Sequence, residues 1–193
     1  MNVNPSDIVK KIFEDSISVK QKTLRSNLTK ILESVEAITQ TLKNSGKVIV
    51  FGNGGSAADS QHFAAEFIGR FQKERKSFPA IALSTDTSAL TALGNDYGFD
   101  VIFSRQLEGL GQKQDLALGI STSGKSKNVV AAIQQAKKMG MKTITLTGCG
   151  GGTLAPLSDI AIIADSTVTA RIQESHILIL HTICELVENQ LTP

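Results

Sequence analysis

Five short apolar runs, separated by segments long enough for helices, predict an α/β protein: a three-layer sandwich with a five-stranded, mainly parallel sheet. The runs fall at residues 48–51, 80–83, 116–120, 143–147 and 160–164 and are rich in Val, Ile and Thr. Near-continuous apolar strands are what a sheet covered on both faces requires, and intervening helical stretches such as 128–139 make βαβ units. A third observation adds an N-terminal helical extension, since residues before 45 repeat at helical spacing instead of in short runs.

Asn4 before Pro5 reads as a helix N-cap with proline in the first turn, followed by Ile8, Ile12 and Phe13. Farther on, Leu24, Leu28, Ile31, Val35, Ile38 and Leu42 alternate steps of four and three until Asn44-Ser45-Gly46 ends the pattern. Such a seam is expected to pack partly on the chain's own core and partly in a helix bundle between subunits. Residues 1–193 thus read as one domain, with 1–45 a helical segment used in oligomerisation. A last helix is predicted over 168–191, carrying Ile172, Ile177, Leu178, Leu180, Ile183, Leu186 and Val187.

At 193 residues and 41% hydrophobic, the chain can bury a real core as one ordinary domain. A net charge of +2 provides no field for nucleic acid or an anionic membrane, so any anion must be bound locally. The first residues lack the basic start and apolar run of a signal peptide, and no stretch approaches the roughly 20 apolar residues of a membrane span. A cytoplasmic protein is expected, with Cys149 and Cys184 reduced and structural because they show no paired spacing.

Ligands of such sheets bind beyond the carboxyl ends of the strands. After the first strand comes Gly52-Asn53-Gly54-Gly55-Ser56 and then a helix, so small residues and free amides at a helix start offer a place for phosphate or hydroxyl oxygens. After the third strand, Ser121-Thr122-Ser123-Gly124-Lys125-Ser126 sets three serine hydroxyls around another helix start, a phosphate cradle. Counted from Gly119, this stretch also fits the nucleotide-binding pattern G-x-x-x-x-G-K-[ST]. Its place after the third strand, with only Asp165 as a weak metal-binding aspartate, argues against a P-loop nucleotidase.

His62 and Glu66 are four apart, the spacing by which one helix presents two ligands to a metal or a base beside its partner. Gln173 and His181 lie about 12 Å apart along the last helix, so one metal would bridge them only at full stretch. A site using all four groups is therefore expected at a subunit interface, its two helices supplied by different chains. His176 reads as a hydrogen-bonded helix residue outside the site.

With these segments in view, and with Asn95-Asp96-Tyr97-Gly98 and Arg171-Ile172-Gln173-Glu174 beside them, the chain resembles the sugar isomerase (SIS) domain family over nearly its whole length. Within that family it is similar to the members that act on seven-carbon sugar phosphates. The resemblance implies a flavodoxin-like topology and a substrate held by Asn53, Gly54, Gly55, Ser56, Glu66, Asn95, Asp96, Ser121, Thr122, Ser123, Ser126 and Gln173. It implies one zinc ion per subunit on His62, Glu66, Gln173 and His181, and a homotetramer with interfacial active sites. The implied reaction interconverts sedoheptulose 7-phosphate and D-glycero-D-manno-heptose 7-phosphate through an enediol(ate), with Glu66 and His181 catalytic, for heptose supply to lipopolysaccharide or other surface glycans. The alternative is a non-catalytic relative, a sugar-phosphate sensor or a replication-initiator-binding adaptor; a module that only binds protein has no physical need for His62, Glu66, Gln173 and His181 together.

Overall fold

The computed structural model describes residues 4–192. A single helix, α1 (Pro5–Lys43), forms the N-terminal extension, and the Asn4 side chain caps it by accepting the Ser6 N–H at 3.1 Å. The sheet then builds as β1 (Val48–Gly52), β2 (Ala80–Ala82), β3 (Leu116–Ser121), β4 (Lys142–Thr147) and β5 (Ile160–Ile163). All four pairings are parallel and the strand order is β2-β1-β3-β4-β5, the flavodoxin-like order. The mainly parallel sheet of the sequence reading is thus wholly parallel.

The helices between strands are α2 (Gly55–Ile68), α3 (Thr87–Tyr97), α4 (Ile102–Leu110) and α5 (Lys127–Lys138), and α6 (Thr169–Leu191) closes the fold. Alternation along each strand splits the core in two. Val48 and Val50 of β1, with Leu118, Ile120, Ile144 and Leu146, meet Ile31, Val35 and Ile38 of α1, Phe63 and Phe67 of α2, and Ile183 and Val187 of α6. Ile49 and Phe51 face the other way, toward Phe103 and Leu107 of α4 and Val129 and Ile133 of α5.

The α1 seam packs on the chain's own core along only part of its length. Ile31, Val35 and Ile38 are buried, whereas Leu24, Leu28 and Leu32 each remain more than half exposed. These three leucines line a groove of about 330 Å³ between α1 and α6, closed on the other side by Leu178, Thr182 and Leu186. Farther along, α1 is fastened to the sheet itself. Asn27 offers its side-chain amide to the outer edge of β5 as a strand would, accepting the Ile163 N–H at 3.0 Å and donating to the Ile163 carbonyl at 2.9 Å. The Thr23 hydroxyl accepts the Asp165 N–H at 3.0 Å, one step farther on. An edge that would otherwise present bare backbone is thereby covered. Among the described residues no helix is long and apolar enough to cross a membrane.

Candidate functional site

Both binding loops leave the sheet at neighbouring strands. The loop after β1 turns into α2 at Gly54, whose φ of 56° is left-handed, and runs alongside the loop after β3. The two are tied by a reciprocal amide pair: Asn53 Nδ2 donates to Asn128 Oδ1 at 2.8 Å, and Asn128 Nδ2 donates to Asn53 Oδ1 at 2.9 Å. Asn53 therefore braces the site with its side chain and can meet a ligand chiefly through its backbone. Ser56 is buried beneath the same turn.

In the second loop the hydroxyls cluster as expected. Ser121 Oγ lies 2.9 Å from Ser126 Oγ and 3.4 Å from Ser123 Oγ, and the Lys125 N–H reaches Ser123 Oγ at 3.2 Å. The Thr122 carbonyl accepts the Gly148 N–H at 3.0 Å, which fixes the loop to the one after β4. Gly124, at φ 64°, lies so close to the Gly151 carbonyl that a Cβ there would collide with it. The nucleotide-binding pattern dissolves in the structure: Gly119 is inside β3, packed on Val129 and Ile133, and Lys125 is exposed beyond a loop too short to wrap phosphates as a P-loop does.

The helices α2 and α6 pack side by side in one chain, and here the sequence reading needs correction. His62 Nε2 is 2.8 Å from His181 Nε2 and 3.3 Å from Glu66 Oε1. The two imidazole rings are 5.0 Å apart between centroids. The site was expected to need helices from two subunits, because Gln173 and His181 could reach one metal only at full stretch. Instead the two helices run parallel in matched register, and Gln173 meets Gly55, two turns before His181 meets His62. His62, Glu66 and His181 converge, and the Gln173 amide lies against Gly55.

Two imidazole nitrogens and a carboxylate are the donors zinc favours, and three protein ligands leave room for substrate oxygens, so the set fits a zinc ion in kind. At 2.8 Å the two nitrogens lie at hydrogen-bonding distance, the donor being set by the tautomer of each ring. Among the described residues the cluster is therefore hydrogen-bonded and is not spread into a ready-made cage.

Asn95 and Asp96, at the exposed end of α3, bond each other at 2.8 Å and stand apart from these groups within the chain. His176 is buried, with Nε2 3.0 Å from the Thr147 carbonyl, a packed helix residue as read from the sequence. Both cysteines are free thiols, Cys184 buried and Cys149 exposed.

Three features near the site gave little signal in the sequence. Asp59, one turn before His62, has a buried Oδ2 with no hydrogen-bond partner; burial raises its pKa against the lowering influence of His62. Phe71, in the irregular segment after α2, lies against His181 with ring centroids 5.5 Å apart. Arg75 and Glu188 form an ion pair at 2.8 Å with both side chains almost wholly buried. A charge in a segment without periodicity, or among the polar residues of a helix, reads as solvated surface until its partner is known.

Comparison with known proteins bears on the fold and the family. The model of the SIS domain family matches residues 12–148. The phosphoheptose isomerase of Helicobacter pylori (strain P12) is 52% identical over 94% of this chain and 95% of its own. That of Campylobacter concisus (strain 13826) is 53% identical over 94% of this chain and 97% of its own. Among solved structures, a phosphoheptose isomerase from Neisseria gonorrhoeae superposes with a TM-score of 0.91 at 43% identity, over 96% of this chain and 100% of that one. One from Francisella tularensis gives 0.93 at 39% identity, over 97% and 100%.

Proposed function

Because the chain belongs to the SIS domain family and, within it, to the phosphoheptose isomerases, we propose that it interconverts sedoheptulose 7-phosphate and D-glycero-D-manno-heptose 7-phosphate, supplying heptose to lipopolysaccharide or another surface glycan. The observation that carries this reading is a separation. Gly55, in the anion-binding turn, and His62, in the His62–Glu66–His181 cluster, are seven residues apart on one helix, about 10 Å along its axis. A phosphate held by the loops and a reacting C1–C2 end at the cluster suit the reach of an extended seven-carbon chain.

In this reading Ser121, Ser123 and Ser126, with Thr122 and the amides of Gly54 and Gly55, hold the phosphate at two helix starts. Gln173 meets the sugar hydroxyls beside Gly55. Glu66 takes the C1 proton of the ketose while His181 delivers a proton to O2, giving the enediol. Glu66 then returns its proton to C2 as O1 gives one up to His181, and the aldose results with every proton accounted for. A zinc ion held by His62, Glu66, Gln173 and His181 would, when bound, supply Lewis-acid polarisation of the substrate oxygens, and the proton relay would then use the His181 ring nitrogen and the Glu66 oxygen that the ion leaves free. Asn95 and Asp96, exposed at the end of α3, would serve the site of a neighbouring subunit in a homotetramer.

The test is incubation of the purified protein with sedoheptulose 7-phosphate, untreated, chelated, and chelated with zinc restored, followed by NMR. Aldoheptose phosphate that disappears on chelation and returns with zinc supports both parts of the reading. Conversion indifferent to chelation removes the metal, and no conversion by folded, zinc-loaded protein removes the isomerase.

A further inference from the structure

Resting on the acid–base role of His181, we propose that Phe71 is a positioning residue that holds the His181 ring in its working orientation. The argument begins with the segment between α2 and β2, which has no regular structure and yet is tightly held. The N–H groups of Phe71, Gln72 and Lys73 all donate to the Glu188 carboxylate, at 3.0, 2.7 and 2.8 Å. Arg75 Nε joins them at 2.8 Å on the same carboxylate. The rest of the guanidinium closes the end of α2, bonding the carbonyls of Glu66 and Phe67 at 2.8 and 2.9 Å, and lies 3.9 Å above the Phe78 ring. Both charges are almost wholly buried, so neither partner can leave without stranding the other.

This anchorage matters because of where Glu188 stands. It is seven residues beyond His181 on α6, two turns along the same helix. The segment is therefore fastened to the helix that bears the catalytic imidazole, and from that fastening Phe71 reaches back to lie against the imidazole itself, its plane inclined by 42°. His62 contacts the same ring, at a centroid distance of 5.0 Å. A histidine on a helix retains two side-chain torsions, and a proton relay tolerates little error in either. With Phe71 and His62 both packed on it, the ring has few other orientations, and the brace and helix form one rigid piece. Arg75 extends the same piece to Glu66 by holding that residue's own carbonyl.

The test compares Phe71→Ala, Phe71→Leu and Phe71→Tyr with the parent. Turnover of sedoheptulose 7-phosphate, thermal unfolding, and imidazole 15N–1H correlation spectra at fixed pH would be measured on each. With only 3 histidines in the chain, the His181 signals can be assigned by one His181→Gln control. The expected result is a kcat lowered roughly ten- to a hundredfold in Phe71→Ala with KM little changed, restored in Phe71→Tyr, and His181 ring signals that shift in the Ala and Leu variants. A kcat that holds, or one that falls while the His181 signals stay in place, overturns the proposal. If Phe71→Ala does not fold, the Leu and Tyr pair decides by the same criteria. If the parent converts no substrate, the isomerase reading falls, and the spectra alone decide whether Phe71 orients His181.

Discussion

Glu66 stands at the centre of the proposed chemistry, and its amide variant separates proton transfer from shape. Glu66→Gln keeps the size and burial of the side chain, so a loss of roughly two to four orders of magnitude in kcat, read by NMR progress curves, is expected if the carboxylate carries the C1 proton. Turnover near that of the parent would exclude it. A second prediction concerns His176, whose pKa is pushed down to about 4 by burial, against the raising influence of its bond to the Thr147 carbonyl. In the unfolded chain the same ring titrates near its ordinary 6.5. The unfolded state thus binds more protons between these values, so this residue's contribution to stability is complete above about pH 6.5 and is lost as pH falls toward 4, at up to about 1.4 kcal/mol per unit. Urea unfolding from pH 7 to 4.5 should show this slope, and His176→Asn should flatten it. At this scale the sequence showed what local spacing can show. The His62–Glu66 pair lies on one helix face at four residues, whereas the meeting of His181 with His62, 119 residues away, depends on how two helices pack and could not be read from either.

Among the elements, the strands were legible to within one or two residues because apolar runs bounded by loops have few other uses. Helix α3, with no buried residue, and the segment from 69 to 79 were not, since neither owes its place to periodicity. The subtler miss was α1. Its seam announced a partner, but Thr23 and Asn27 sit among the seam's polar neighbours and gave no sign of gripping β5. Asn27→Ala should leave the Ile163 N–H and carbonyl at the sheet edge without partners and lower stability by about 1–3 kcal/mol, measured by chemical unfolding. An unchanged midpoint would mean that water replaces the amide at no cost.

For the molecule as a whole, the fold class and the position of the binding loops were open to a reader of the sequence, because a parallel sheet leaves its ligands only the carboxyl edge, whereas the strand order came only through the family resemblance. How many copies assemble was not. The leucines left outside the core, Leu24, Leu28 and Leu32, make a continuous apolar face along α1 that a second copy could cover. Leu24→Glu combined with Leu28→Glu should shift the protein from an assembly toward the 20.6 kDa single chain in light scattering, while its far-ultraviolet circular dichroism persists. A parent that is already monomeric at all concentrations would remove the proposed tetramer. The grip of α1 on β5 has a bearing on how the protein is made. Asn27 must wait for Ile163, 136 residues later, and α1 must also wait for α6 before its inner face is covered. On the ribosome the first helix to emerge thus has its partners among the last segments, leaving a long amphipathic helix uncovered for most of translation and most in need of a chaperone while the rest of the chain is still being added.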